Sequence, residues 1–464
     1  MTGARFDDLY ALITHPINQR ILLLDGEHGW MLPAVTVPLT PTDHRWRDTA
    51  RVNRAIDDLL GITVTTRECV YVSAFPAPGM HGNAVFVVEA RDQNGDVPVP
   101  ARGRWVSAAE LDVAALAVPA HRPALRRWLT DTASASVARL PWTEAGWFAE
   151  AVAWIEAQLR AHGLDASGPV EQVRSWFLSA ILRVPTTVGD LYFKAAPPLY
   201  AHEPTVTQAV AARAPALAPR VLAVETERRW LLMEGIAGVK LNDPSVRGGY
   251  LTRWEGILRA FARFQRDDGT RSAPLLALGC PDWRLDVLAT LIAPLLDEAP
   301  MLLRGVPDPL TDAELAGLRS HVPRLRSLCA ELAATPIPAS LHHGDFHSGN
   351  ILVTDTACTL IDWAGFVGVT HPFLSLWVPL DEQADDGVRD RLHEAYLREW
   401  NAYAPLDQLR AAATQALPLA ALCGALGHRN QLVHAVTRLP WDIQGEQENM
   451  LFCLRRMLGF MATA

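Results

Sequence analysis

The sequence predicts an α+β chain in which a mixed α/β domain precedes two lobes, one built on an antiparallel sheet and one largely helical. Three observations carry that reading. Short apolar runs bounded by turn residues fill residues 6–130 and return between 173 and 233. Beyond about 237 the apolar spacing is mostly helical, with Gly and Pro as punctuation. Between them DTASASVARLP (131–141) is small, polar and closed by proline, a linker between residues 1–130 and the lobes 142–236 and 237–464.

Taken in order, Ala11–Thr14 and Ile21–Leu24 read as strands paired around a turn. Asp48–Leu60 has helical periodicity and stops at Gly61, a C-cap position. Cys69–Ser73, Ala84–Glu89 and Arg104–Ser107 complete the first domain as strands, with a short helix after them. Trp142–His162 is helical, with Trp147, Ala151, Trp154, Ile155 and Leu159 near one face. Val173–Val184 and Leu191–Lys194 alternate as antiparallel strands around the turn TTVGD, and Trp230–Met233 is a further strand. The last helix, Asn449–Met461, aligns Met450, Leu451, Leu454, Met457, Leu458 and Met461 as a core stripe.

With 464 residues the chain is long enough for two or three cores. No apolar run approaches a membrane span in this reading, and the N-terminus lacks a secretory pattern. Six scattered cysteines without a CxxC fit reduced thiols, so the expected location is cytoplasmic. A net charge of −9 argues against nucleic acid or an anionic membrane as partner. Oligomeric state is left open.

The most restrictive stretch is LHHGDFHSGNILVTDTACTLIDWA, residues 341–364. Asp345 and Asn350 share one short loop, and an apolar hairpin (Ile351–Val353, Cys358–Ile361) delivers Asp362 at its far end. Phosphoryl transfer needs a carboxylate to orient the acceptor hydroxyl and hard oxygen ligands for magnesium, and an Asp, an Asn and a second Asp in this order satisfy both. The bland alternative is a polar turn followed by a helix-capping Asp. The complete spacing, H-G-D-x4-N then I-D-W, is too specific for that reading.

These motifs resemble the catalytic core of the aminoglycoside phosphotransferase family, small-molecule kinases with a protein-kinase-like fold. The resemblance implies Asp345 as catalytic base, Asn350 and Asp362 as magnesium ligands, and His343 as the histidine that braces the loop. His342 and His347 carry no such role. FKAAPPLYAHEP extends the likeness and implies Lys194 as the phosphate lysine with Glu203 as its ion-pair partner. In RWLLMEGIAG the kinase hinge falls around Met233, Glu234 and Ile236; its contacts to the base are main-chain, so ATP is the default donor and GTP stays open. A glycine-rich phosphate loop is absent. Arg174–Leu178 takes its place, offering hydroxyls of Ser175 and Ser179 and backbone amides. Gln265 stands where the family often has histidine, and Thr370, His371, Pro372 and Ser375 replace a Gly-Asp-Pro segment and a later acid.

The first domain looks like a Nudix hydrolase whose motif is damaged. Arg54 is followed by Ala55, Asp58 by Leu59, and the expected upstream Gly and Glu positions hold Thr40 and Trp46. One acid where a magnesium cage needs three implies a non-hydrolytic domain.

After Asp362 the next helix, Phe373–Leu380, follows within about ten residues, which leaves no room for a peptide platform. The acceptor expected is therefore a hydroxyl of a small molecule: an aminoglycoside-like antibiotic, an amino-sugar or another metabolite. Asp282, Asp286, Glu382 and Asp385 are candidates to hold an amine, while Trp283 and Trp363 read as core. Two alternatives are a nucleotide-binding pseudokinase regulator and a Ser/Thr peptide kinase in natural-product biosynthesis.

Overall fold

The computed structural model describes residues 4–463 apart from 28, 41–43, 78, 92–95, 135–137, 269–271, 435 and 437–438. The chain packs as two compact units, Met1–Pro197 and Pro198–Ala464. That boundary differs from the expected one, because the first strands of the sheet lobe fold with the N-terminal domain.

In the first unit the elements are β1 (Arg5–Thr14), β2 (Ile21–Gly26), β3 (Gly29–Met31), β4 (Ala34–Leu39), α1 (Thr49–Leu60), β5 (Val64–Val72), β6 (His81–Ala90), β7 (Gly103–Val106), α2 (Arg122–Ala133), α3 (Trp147–His162), β8 (Glu171–Trp176), β9 (Ser179–Thr186) and β10 (Gly189–Ala195). β1 lies at the centre of a seven-stranded mixed sheet, parallel to β6 and antiparallel to β2 and β4. Apolar residues of its inner face, among them Leu12, Ile21, Val85 and Val87, pack with Leu125 and Trp128 of α2. α1 begins and ends where the sequence indicates: the Asp48 carboxylate accepts from the Arg51 N–H, and Gly61 adopts φ +63°.

Two expectations shift. The linker's first residues are the last turn of α2, and 135–137 lie outside the described residues. The helix expected from Trp142 starts at Trp147, after a 3-10 turn (Pro141–Thr143) and Gly146 at φ +80°. β8, β9 and β10 form an antiparallel meander, with a tight turn at Phe177–Leu178 splitting what reads in sequence as one strand.

The second unit carries α4 (Glu203–Arg213), β11 (Val221–Glu225), β12 (Trp230–Glu234), β13 (Val239–Lys240), α5 (Tyr250–Asp268), α6 (Ser272–Ala277), α7 (Leu285–Leu302), α8 (Asp312–Ser320), α9 (Val322–Ala333), β14 (Ser340–His342), β15 (Ile351–Val353), β16 (Cys358–Leu360), β17 (Gly368–Thr370), α10 (Trp377–Asp381), α11 (Asp386–Leu397), α12 (Leu406–His434) and α13 (Pro440–Thr463). Its core joins α5, α7, α9, α12 and α13 around Trp254, Phe261, Trp363 and Trp400. Small antiparallel pieces, β14–β17 and β13–β15–β16, stand on this core and frame the loop 343–350 between them. One expectation needs correcting here. α12, 29 residues, is long and apolar enough to cross a membrane, and 67% of its most apolar window is buried within the fold. Its alanines and leucines interleave with α13, so its apolar surface is used in packing.

Candidate active site

Asp345, Asn350 and Asp362 come from one stretch that folds back on itself. β14 ends at His342, a turn carries Gly344 and Asp345, and a 3-10 turn (Ser348–Asn350) leads into the β15–β16 hairpin. The first turn requires glycine: Gly344 has φ +71°, and a Cβ there would lie 2.2 Å from the Phe366 carbonyl oxygen. His347 caps the 3-10 turn, its Nδ1 accepting from the Gly349 N–H at 3.0 Å. Glu382, just past α10, holds the same turn from outside, accepting from the Ser348 N–H at 2.9 Å and from its hydroxyl.

Two hydrogen bonds set the second aspartate against the loop. The Ile361 N–H donates to the Asn350 carbonyl at 2.9 Å, and the Ile361 carbonyl accepts from His343 Nε2–H at 3.0 Å. His343 is fully buried, with Trp363 edge-on at 4.8 Å, so its ring is a brace between loop and hairpin. Asp362 follows Ile361 directly. It is exposed and takes φ +68°, a left-handed backbone that costs an L-residue about 1–2 kcal/mol.

Asn350 Nδ2 donates to Asp345 Oδ2 at 2.9 Å and to its carbonyl at 3.0 Å. An amide engaged through nitrogen presents its carbonyl oxygen on the opposite arm, the one atom of Asn350 able to ligate a hard cation. Together with the exposed Asp362 carboxylate, this donor set suits a divalent ion that retains waters. The Asp345 side chain keeps 37% of its surface accessible while being crowded on most sides, the signature of a concave position. That crowding desolvates the carboxyl and raises its pKa above the ordinary value; His347 pulls it down, Asp362 pushes it up, and Asn350 and His428 oppose the rise.

Four residues near this site have no signature in the sequence. His428 on α12 stacks edge-on against Phe366 at 4.7 Å and pairs through Nδ1 with Glu446 of α13 at 2.7 Å. Gln431 bridges, donating to Glu446 Oε1 at 2.9 Å and accepting from the Tyr200 hydroxyl at 2.7 Å. Burial raises the Tyr200 pKa, and the charges of Glu446, Asp362 and Asp345 add to the rise. No local spacing links position 200 to 428 or 446, so only the fold reveals the group.

The other expected site residues divide between the units. Lys194 lies on β10 opposite Ile181 and is 7% exposed, so it is not a solvated edge lysine. Phe193 points to the other face, packed on Trp147 and Trp154 of α3. In the second unit Glu203 opens α4 and is buried. Met233 and Glu234 end β12; the Glu234 N–H donates to the Arg220 carbonyl at 2.9 Å, and the Ile236 carbonyl accepts from the Gly238 N–H at 2.8 Å. Ser175 departs from expectation. It is 4% exposed with its hydroxyl sealed from solvent, its N–H donates to the Arg47 carbonyl at 3.2 Å, and Ser179 Oγ accepts from Trp176 Nε1 at 3.1 Å. The Ser175 N–H and the Ser179 hydroxyl are thus already paired inside the first unit.

The acids suggested for an amine also have structural employment. Asp282 receives Arg284 at 2.9 and 2.7 Å, which lowers its pKa; Asp385 caps α11; Glu382 braces the loop as above. Asp286 is exposed in the first turn of α7. Trp283 and Trp363 are core, as expected.

The profile of a family described as "Phosphotransferase enzyme family" matches residues 169–408. No curated protein matches the chain. Among solved structures, a choline/ethanolamine kinase family protein from Mesorhizobium loti is 19% identical, with 67% of this chain and 99% of that one covered and a TM-score of 0.44. The GDP complex of aminoglycoside 2′-phosphotransferase-IIIa is 13% identical, with 66% and 98% covered and a TM-score of 0.46. Choline kinase LicA from Streptococcus pneumoniae is 12% identical, with 68% and 100% covered and a TM-score of 0.44.

Proposed function

Since this chain belongs to the phosphotransferase enzyme family, it is a small-molecule kinase, and we propose that it moves the γ-phosphate of ATP to a hydroxyl of an aminoglycoside-like antibiotic, an amino-sugar or a related metabolite. The observation that carries the proposal is the pinned trio: Asp345 hydrogen-bonded to Asn350, and Asp362 set beside them through Ile361.

Asp345 is read as the base, which its concave yet accessible position supports; burial raises its pKa above the ordinary carboxylate value. It accepts the proton of the acceptor hydroxyl as that oxygen bonds to the γ-phosphorus and the bond from the γ-phosphorus to the β,γ-bridging oxygen breaks, releasing ADP. Asn350 and Asp362 would hold magnesium, which neutralises charge on the phosphates when bound. Lys194 is assigned to the α- and β-phosphates, Glu203 to the support of that lysine, and the main chain near Met233, Glu234 and Ile236 to the base. GTP is an alternative donor. The N-terminal domain is read as a Nudix-like fold without hydrolysis, since Asp57 and Asp58 of α1 are exposed and Arg54 lacks its acidic neighbour. Cytoplasmic residence and the absence of nucleic-acid or membrane partners complete the proposal.

Asp345→Ala is expected to cut turnover by about 10²-fold or more while nucleotide affinity stays near wild type. Asp362→Ala is expected to lose the magnesium-dependent thermal shift with ATP. Mass spectrometry for one added phosphate across amino-sugars, nucleosides and peptides identifies the acceptor. A collapse of nucleotide affinity in Asp345→Ala would refute the division of roles.

A further inference from the structure

We propose that the N-terminal domain is an external clamp on the β8–β9 hairpin, with Arg47 as a positioning residue for nucleotide binding. This rests on the reading that Arg174–Leu178, the end of β8 and its turn, takes the place of a phosphate loop. Four anchors join the domain and the hairpin, all within the first unit.

The clamp is rooted in the domain's interior. Arg45 is buried and forks onto Asp7 of β1, with contacts at 2.6 and 2.8 Å, and donates to the Ser73 carbonyl at 2.8 Å. Two residues on, the Arg47 carbonyl accepts from the Ser175 N–H at 3.2 Å, and its guanidinium stacks 3.7 Å from the centre of the Trp176 ring. Asp48 bridges Arg174 as an antiparallel partner. Residues 174, 175 and 176 are thus each engaged by 47–48.

At the start of β8, the Gln172 side chain acts as a substitute strand. Its Nε2 donates to the Thr66 carbonyl at 2.7 Å, and its Oε1 accepts from the Thr66 N–H at 2.8 Å and from Asn53 Nδ2 at 3.0 Å. The strand bulges immediately after, between Gln172 and Arg174. At the end of β8, Trp142 Nε1, from outside the N-terminal domain, adds a bond to the Trp176 carbonyl at 3.0 Å.

Glycine-rich phosphate loops have wide backbone freedom; this turn, Trp176-Phe177-Leu178-Ser179, contains no glycine and has less. Holding it in one place in advance lowers the ordering cost of binding, which makes the first domain part of the nucleotide grip. The same meander carries Lys194, paired opposite Ile181 on β9, so its position depends on the same anchors.

The test uses the full-length chain. Arg47→Ala is expected to raise KM for ATP about fivefold or more with kcat within about twofold, and Arg47→Lys to restore most of it, since an ammonium also sits over an indole. Chymotryptic cleavage at Trp176–Leu178, measured without ligand, is expected to accelerate in Arg47→Ala and not in Arg47→Lys. Unchanged KM in Arg47→Ala overturns the proposal, whether or not cleavage accelerates. If the wild-type chain transfers no phosphate to any acceptor, the functional reading falls instead; the clamp then stands or falls on cleavage and on ATP affinity by calorimetry.

Discussion

Gly344 shows how a single atom can govern this site. Its positive φ is available to other residues at modest cost, but the would-be Cβ meets a backbone oxygen at 2.2 Å, and backbone cannot rotate away. Gly344→Ala is therefore expected to displace the turn bearing Asp345, lowering turnover by about 10²-fold or more, since catalysis is sensitive to displacements of an ångström. A near-normal rate in a folded Gly344→Ala protein would show that the Phe366 segment yields instead. That Asp345, Asn350 and Asp362 share one loop and hairpin was legible in the sequence, because over so short a span chain spacing translates directly into geometry. Ser175 was not, because the fate of its N–H is decided by Arg47, 128 positions away. His428 and Glu446 were equally silent, being ordinary helix residues until α12 and α13 pack beside Phe366.

Secondary structure announced by caps and periodicity survived best, as the bounds of α1 and the Met-rich face of α13 show. What the sequence hid was which elements adhere to which. The polar segment after α2 resembles a spacer, yet Arg139 pairs with Glu68 at 2.9 Å, Arg67 donates to the Thr143 carbonyl at 2.8 Å, and Glu89 accepts from the Gly146 N–H at 3.0 Å. Arg91 stacks over Phe148 of α3 at 4.2 Å. Charged and aromatic partners so far apart leave no local pattern to read. A chain beginning at residue 138 is therefore expected to be insoluble or unfolded, because α3 and β8 lose these partners and expose Gln172 and Phe148. Soluble yield and circular dichroism of such a chain check this; a stable, cooperatively melting product would show that the lobes stand alone.

At the scale of the whole molecule, burial disfavours the charged form of several described histidines, most strongly His121, His342 and His371. Desolvation lowers the pKa of His121 to about 4 and of His342 and His371 to about 3. The unfolded chain takes up these protons near pH 6.5, whereas the folded chain resists until pH 3–4. Stability is thus fully present above about pH 6.5 and declines as pH falls below it, by up to about 1.4 kcal/mol per unit for each histidine. Thermal melting from pH 7.5 down to pH 5 is expected to show a steepening fall, less steep in His371→Asn. A flat profile would mean these rings admit protons without unfolding. Two of these rings are tied into hydrogen bonds around residues 371–375: His342 Nδ1 meets Ser375 Oγ at 2.9 Å, His371 accepts from the Phe373 N–H at 3.3 Å, and Gln265 donates to Ser375 Oγ at 3.1 Å.

Ile361 is gripped on both sides, by Asn350 through its N–H and by His343 through its carbonyl. The backbone that bears the next carboxylate is thereby a fixed mooring post. Reactant entry and product escape must be accomplished by traffic elsewhere around it, because swinging this residue aside would tear the hairpin from the loop that it serves.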